Sequence, residues 1–198
     1  MRRISKFVMV CALAVMALAA FTTAASASRG ISIGSALTVT ARGPTTLNVS
    51  GVNIICTVDL TLDINASISK TVGSAVGTAR LGTITNCNGG YSGTIDNNIP
   101  ITYLSITGTL PSIPRANGIA VGALFTMTGG TVFGANRCQF RGSPNVTLSG
   151  PGTSFSGGSF SGSVAYNAGP AACPRSANIV NAALALYGTL TSVAITLV

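Results

Sequence analysis

Along residues 54–64 the chain alternates without a break. Ile54, Cys56, Val58, Leu60, Leu62 and Ile64 share one face, and Ile55, Thr57, Asp59, Thr61 and Asp63 share the other. Period two with many β-branched residues predicts a half-buried strand. Its core face carries Cys56, and its wet face carries Asp59 and Asp63. Ser35–Ala41 and Thr46–Ser50 have similar composition and flank Arg42-Gly43-Pro44, a turn signal. Together with 54–64 they predict a meander.

Further strand candidates follow at short intervals. Thr78–Asn86 leads into Cys87 and an Asn88-Gly89 turn signal. Ile101–Leu110 ends at Pro111, and the apolar run Ile119–Met127 stops at Gly129-Gly130. Asn136–Arg141 carries Cys138, and Pro144 separates it from Val146–Ser149. In 153–163, Gly157-Gly158 fits a two-residue hairpin loop that would pair Phe155 with Phe160. Near the end, Asn178–Leu186 predicts a short helix from its Ala and Leu content, and Leu190–Val198 returns to β composition. No clean repeat of 20–50 residues is present. Many short strands separated by Gly, Pro and Asn predict an all-β fold: an antiparallel β-sandwich, or a barrel-like variant of it.

Residues 1–27 have the pattern of a secretory signal peptide. Arg2, Arg3 and Lys6 precede an apolar run from Phe7 to Phe21, and Ala25-Ser26-Ala27 is a small-residue cleavage site. The run falls short of the roughly 20 residues a membrane helix needs. The expected organisation is a leader over 1–27 and a single secreted β domain over 28–198. Four cysteines remain after cleavage: Cys56, Cys87, Cys138 and Cys173. An even number in an exported chain points to disulfides. Three connectivities are open; Cys56–Cys87 with Cys138–Cys173 joins sequence neighbours and is favoured.

Charged residues make up only 7% of the chain, against the usual quarter, so few functions based on charge are open to it. The formal net charge is +8, and the three leader cations account for part of it. The other basic residues, including Arg42, Arg80 and Arg137, stand singly, whereas a nucleic-acid reader clusters them. A membrane barrel of this length would carry aromatic girdles. This chain has no Trp, few Tyr and Phe, and Val198 at its end.

The candidate chemistry is sparse. There is no histidine and no glutamate, and Asp59, Asp63 and Asp96 are the only carboxylate side chains. A Ser-His-Asp site therefore cannot be assembled. Ser67-Ile68-Ser69-Lys70 contains a Ser-x-Lys spelling, but a solvated loop lysine explains it as well. Asp59 and Asp63 lie roughly 13 Å apart on one strand face, too far for a glycosidase pair. Asp96-Asn97-Asn98 offers oxygen donors to calcium, though such a tripeptide usually forms a turn. The expectation is no enzyme, no catalytic residue, no metal and no cofactor.

The run from Leu37 through Thr45-Thr46-Leu47-Asn48-Val49 to Gly51-Val52-Asn53-Ile54-Ile55-Cys56 resembles small secreted bacterial proteins. They belong to the family called protein activator of alkane oxidation. Gly82-Thr83-Ile84-Thr85-Asn86-Cys87 is similar to that family's second cysteine segment, and related exported proteins occur in actinobacteria. The resemblance covers mainly residues 35–90 and implies a secreted, accessory, non-enzymatic role. It supplies no catalytic residues. The expected function is a non-catalytic surface or matrix protein acting by binding or self-association. The alternative is an extracellular lipid- or hydrocarbon-binding module, which the mean hydropathy of +0.57 also suggests. Expected partners are the protein itself, cell-surface polymers or apolar small molecules, with no nucleic acid and no stable membrane insertion.

Overall fold

A computed structural model describes residues 31–32, 37–69, 71–107, 115–149, 157–187 and 196–197. The expected leader over 1–27 and its cleavage site lie outside them, as does Lys70. In chain order the strands are β1 Ile31–Ser32, β2 Leu37–Val49, β3 Val52–Ile64, β4 Ser67–Ile68, β5 Ala75–Thr85, β6 Tyr91–Ile95 and β7 Ile99–Thr107. There follow β8 Arg115–Ala120, β9 Ala123–Gly129, β10 Gly134–Gly142, β11 Asn145–Ser149, β12 Gly157–Ala168, β13 Ser176–Tyr187 and β14 Thr196–Leu197. A four-residue helix, α1 Gly130–Phe133, joins β9 to β10.

The sheet closes on itself. Strands β5, β3, β2, β13, β12, β11, β8 and β7 pair in that order, and β7 returns to β5, giving an eight-stranded antiparallel barrel. The expected sandwich is thus corrected to its barrel-like variant. Closure leaves every strand of this ring with a neighbour on both sides, which removes sheet edges. Strands β6, β9 and β10 form a second arc, also running from β5 to β12. Two rings therefore share one wall of five long strands, β5-β3-β2-β13-β12. The opposite wall is split into two arcs, β7-β8-β11 and β6-β9-β10.

The split follows from two branch points. β5 pairs with β7 through Ala75–Ala79 and with β6 through Gly82–Ile84. β12 pairs with β11 through Gly157–Ser161 and with β10 through Val164–Ala168. At the first branch the partners of Leu60 and Leu62 on β5 are Gly82 and Ala79, so β5 carries one extra residue. β13 carries another beside the second branch, where Phe160 and Gly162 face Ala182 and Ile179. Such bulges bend a strand and shift its phase. The exposed Leu81 and Val180 lie within these bulges.

Several local expectations change. Arg42-Gly43-Pro44 is not a turn; β2 runs straight through it, and the chain reverses at Ser50-Gly51, where both residues have positive φ. Gly43 is needed for close approach instead: a Cβ there would sit 1.9 Å from the Ala183 carbonyl oxygen. The run 119–127 is two strands, broken at Val121-Gly122. Gly157-Gly158 is not a hairpin loop but the start of β12, paired with Leu148 and Ser149 on one side. Phe155 lies outside the described residues. Asn178–Leu186 is strand within β13, not helix. The prediction for 54–64 holds: β3 buries Ile54, Cys56, Val58, Leu60 and Leu62.

Both favoured disulfides are present. Cys56–Cys87 ties β3 to the turn before β6, across 31 residues of chain. Cys138–Cys173 ties β10 to the β12–β13 connection, across 35 residues. Loops of this size give roughly 3–4 kcal/mol each in the chain-entropy picture. The interior is apolar, and an aromatic stack packs under the second arc. Phe125 stacks on Phe140 at 5.5 Å, Phe140 meets Phe133 at 6.1 Å, and Phe133 meets Tyr91 edge-on at 5.7 Å. Among the described residues no helix is long and apolar enough to cross a membrane, which does not bear on strands.

Candidate functional site

The chain crosses from one arc of the split wall to the other three times: at Asp96–Asn98, at Val121-Gly122 and at Ser143-Pro144. The strand ladder is interrupted at these crossings, and other bonds replace it. The Asn97 amide donates to the Gly122 carbonyl at 3.1 Å and accepts from the Leu124 amide at 2.9 Å. Ser143 Oγ accepts from the Gly122 amide at 3.1 Å. Backbone bonds from Ala120 to Pro144 and from Val121 to Pro100 complete the clasp, at 2.9 and 2.8 Å.

Behind this clasp lies a cavity of about 70 Å³. The shared wall contributes Thr45, Leu47, Leu60, Ile179, Ala182 and Leu184 among others. The split wall contributes residues flanking all three crossings: Ile95 and Ile99, Ala120 and Ala123, and Pro144. Phe125, the inner end of the aromatic stack, also lines it. The volume is several times the roughly 10–15 Å³ that one water requires, and its carbon lining offers a water few of the 2–4 polar partners it needs. No ionisable side chain lines it. Affinity there must come from transfer of apolar surface, about 0.8 kcal/mol per buried methylene.

Thr45 is the exception in the lining. Along β2 the inward positions are Val39, Ala41, Gly43, Thr45, Leu47 and Val49. Thr45 is the polar member of that series, only 4% exposed, and its Oγ1 has no hydrogen-bond partner. The other buried polar side chain among the described residues, Thr126, donates to Asp96 Oδ2 at 2.5 Å. Leaving a buried hydroxyl unpaired costs about 1–3 kcal/mol.

The carboxylates are placed elsewhere and apart. Asp63 accepts from Arg80 Nε and from Thr38 Oγ1, the latter at 2.7 Å. The Arg80 bond, with help from Thr38, holds its carboxyl below the usual aspartate range. Asp59 lies 3.8 Å from Arg42 Nε on the outer wall. Asp96 accepts from Thr94, Thr126 and Gln139, at 2.6, 2.5 and 3.2 Å. Its neighbour Asn97 turns the other way, into the clasp, so the two do not converge as calcium ligands. Among the described residues no three His, Cys, Asp or Glu side chains gather at one point.

The sequence reading passed over Thr45, because the presumed turn at Arg42–Pro44 placed it between two strands. Read as one strand, β2 exposes the signal: a single polar residue on an otherwise apolar inner face. The chain matches no family model, no curated protein and no solved structure.

Proposed function

We propose that this chain is an exported, non-catalytic binding protein whose barrel takes up a small, mainly apolar molecule at its waist. The observation that carries the reading is the carbon-lined cavity, set where the two arcs part and the wall is closed by a few discrete hydrogen bonds. Small-molecule sites in proteins are typically concave, mostly apolar, and given direction by a few polar groups. Export is supported by the leader pattern at 1–27 and by two disulfides, which persist in oxidising compartments. A barrel in water rather than in a membrane is supported by β3, whose outward positions Thr57, Asp59, Thr61 and Asp63 are polar beside a single exposed Ile55, whereas a membrane barrel turns an apolar band outward.

The test is titration with n-hexane while following methyl resonances by NMR. Saturable shifts confined to Ile95, Ile99, Ile179 and Leu184 are expected. Unchanged spectra at saturation with n-hexane, and again with n-pentanol, overturn the reading. Native mass spectrometry of the exported protein checks the rest: a chain starting at Ser28, lighter by the four hydrogens of two disulfides.

A second reading, a surface or matrix protein that contacts cell-surface polymers, draws on the outer wall. Arg42, Asp59, Thr83, Thr94, Thr126 and Gln139 form one continuous cross-strand row over six strands. The exposed hydroxyls of the row, Thr83 and Thr94, suit hydrogen bonding to a polymer, whereas Thr126 is buried and bonded to Asp96. Self-association by edge pairing has less to start from, because each strand of the eleven-stranded sheet is paired on both sides. Cosedimentation with purified cell-wall polysaccharide tests the polymer reading, and its absence at high protein concentration sinks it.

A further inference from the structure

We infer that the molecule held at the waist carries a hydrogen-bonding oxygen, a hydroxyl or carbonyl on a short alkyl frame, and that Thr45 recognises it. This rests on the cavity reading above and goes beyond it in naming the chemical class and the residue.

The cavity alone favours any small hydrocarbon. Thr45 breaks that indifference. It occupies an inward position of β2, between Cys56 on β3 and Ala182 on β13. Valine has the same branched shape and would fill that place without stranding a donor and an acceptor. Buried hydroxyls are nearly always paired, and an unpaired one calls for an explanation. Here it is orphaned, almost wholly buried, and on a residue that lines the cavity.

The surface that Thr45 shows the cavity in the structure is carbon. Its methyl, hydroxyl and β-hydrogen occupy the three staggered wells about χ1, so a turn of about 120° brings the hydroxyl to the methyl's place and the methyl to the hydrogen's. The hydroxyl then faces the cavity, able to donate to a carbonyl or to exchange with a hydroxyl. A ligand oxygen supplies what the wall withholds. A pure hydrocarbon leaves the group unpaired, so binding it gains nothing from Thr45. The surrounding Leu47, Phe160, Ala182 and Leu184 accept the alkyl part.

The experiment compares n-pentanol with n-hexane, matched in heavy-atom count, on the full exported protein and on Thr45→Val and Thr45→Ser. Thr45→Val is expected to weaken n-pentanol about tenfold, the size of one hydrogen bond within a dry site, while n-hexane affinity stays the same. Thr45→Ser keeps the hydroxyl and is expected to retain most of the n-pentanol affinity. With no ligand added, Thr45→Val is expected to melt at the same temperature or higher, since an orphaned hydroxyl has been removed. A fall in melting temperature marks a hydroxyl paired within the wall and overturns the inference. So does Thr45→Val weakening both probes alike, or neither; in those cases n-hexane binding to the native protein leaves the cavity reading standing. If the native protein takes up neither probe, the cavity reading itself falls.

Discussion

The two walls of the barrel are built on different physics. The shared wall, β5-β3-β2-β13-β12, is a set of long strands zipped by ladders; β2 and β3 pair over thirteen consecutive positions. The split wall has short strands, three crossings, a four-residue helix and a side-chain clasp. Its strength comes from packing, through Phe125, Phe140, Phe133 and Tyr91, and from the Cys138–Cys173 link. One wall resists opening because each strand is pinned along its length. The other is a collection of local contacts, so it is the side on which local opening is cheapest. A cavity bounded by one of each has a rigid back and an openable front.

The largest expected effect strikes the packing of the split wall. Phe140 is fully buried and touches both Phe125 and Phe133. Phe140→Ala should cost about 3–5 kcal/mol, from lost transfer energy and the cavity left behind. Hydrogen exchange should show where the loss falls. Amides of β9 and β10 are expected to lose protection at urea concentrations at which β2 and β3 keep theirs. Uniform loss across both walls would mean that they open as one unit, and the contrast drawn here would be void.

A smaller effect is expected at the clasp. Asn97 satisfies a carbonyl on Gly122 and an amide on Leu124, joining two crossings. Asn97→Ala leaves both backbone groups without that partner and should cost about 1–2 kcal/mol. The more telling readout is exchange kinetics. The Leu124 amide should exchange faster, and a ligand at the waist should enter and leave faster with little change in affinity. If ligand exchange is unaltered, the clasp is not the way in.

The same contrast explains how much of the fold was legible in the sequence. β3 keeps one phase from end to end, so its alternation named its buried face residue by residue. β5 and β13 change phase at their bulges. On β13 the inward positions run Ala177, Ile179, then Ala182, Leu184. The bulge turns one spacing of two into a spacing of three, and with Ala and Leu around it the segment imitates a helix. Val121-Gly122 hid for the opposite reason: the turn sits inside an apolar run, with no polar break to announce it. Gly43 and Gly157-Gly158 imitate turns, because a glycine within a strand, required at Gly43 by close approach, is spelt the same as one required by positive φ. What closes the barrel is long-range pairing of β7 with β5 and of β10 with β12, which no local pattern encodes. The candidate site inherits that limit. Its lining is scattered over nine strands and one crossing, and only Thr45 stood out of pattern along its own strand.

The smallest effect belongs to the outer surface of the shared wall, where Asp63 of β3 meets Arg80 at the β5 bulge. That is the branch point itself, so the pair holds the place where β5 leaves one arc for the other. The Arg80 bond keeps the Asp63 carboxyl ionised to lower pH than an unfolded aspartate. A folded-state value below the unfolded one means that the unfolded chain takes up the proton first as pH falls. The stabilisation is therefore complete above roughly pH 4, the ordinary aspartate range, and is lost as pH falls through the lower folded value. Both partners are open to solvent, with the Arg80 side chain 59% exposed, so screening keeps the effect small. Melting temperature measured downward from neutral pH should show a shallow acid step that Asp63→Asn or Arg80→Gln removes. The step should also flatten at about 1 M salt, where the Debye length falls to about 3 Å. A step that survives Asp63→Asn would belong to another carboxylate and would leave the branch point held by its backbone ladder alone.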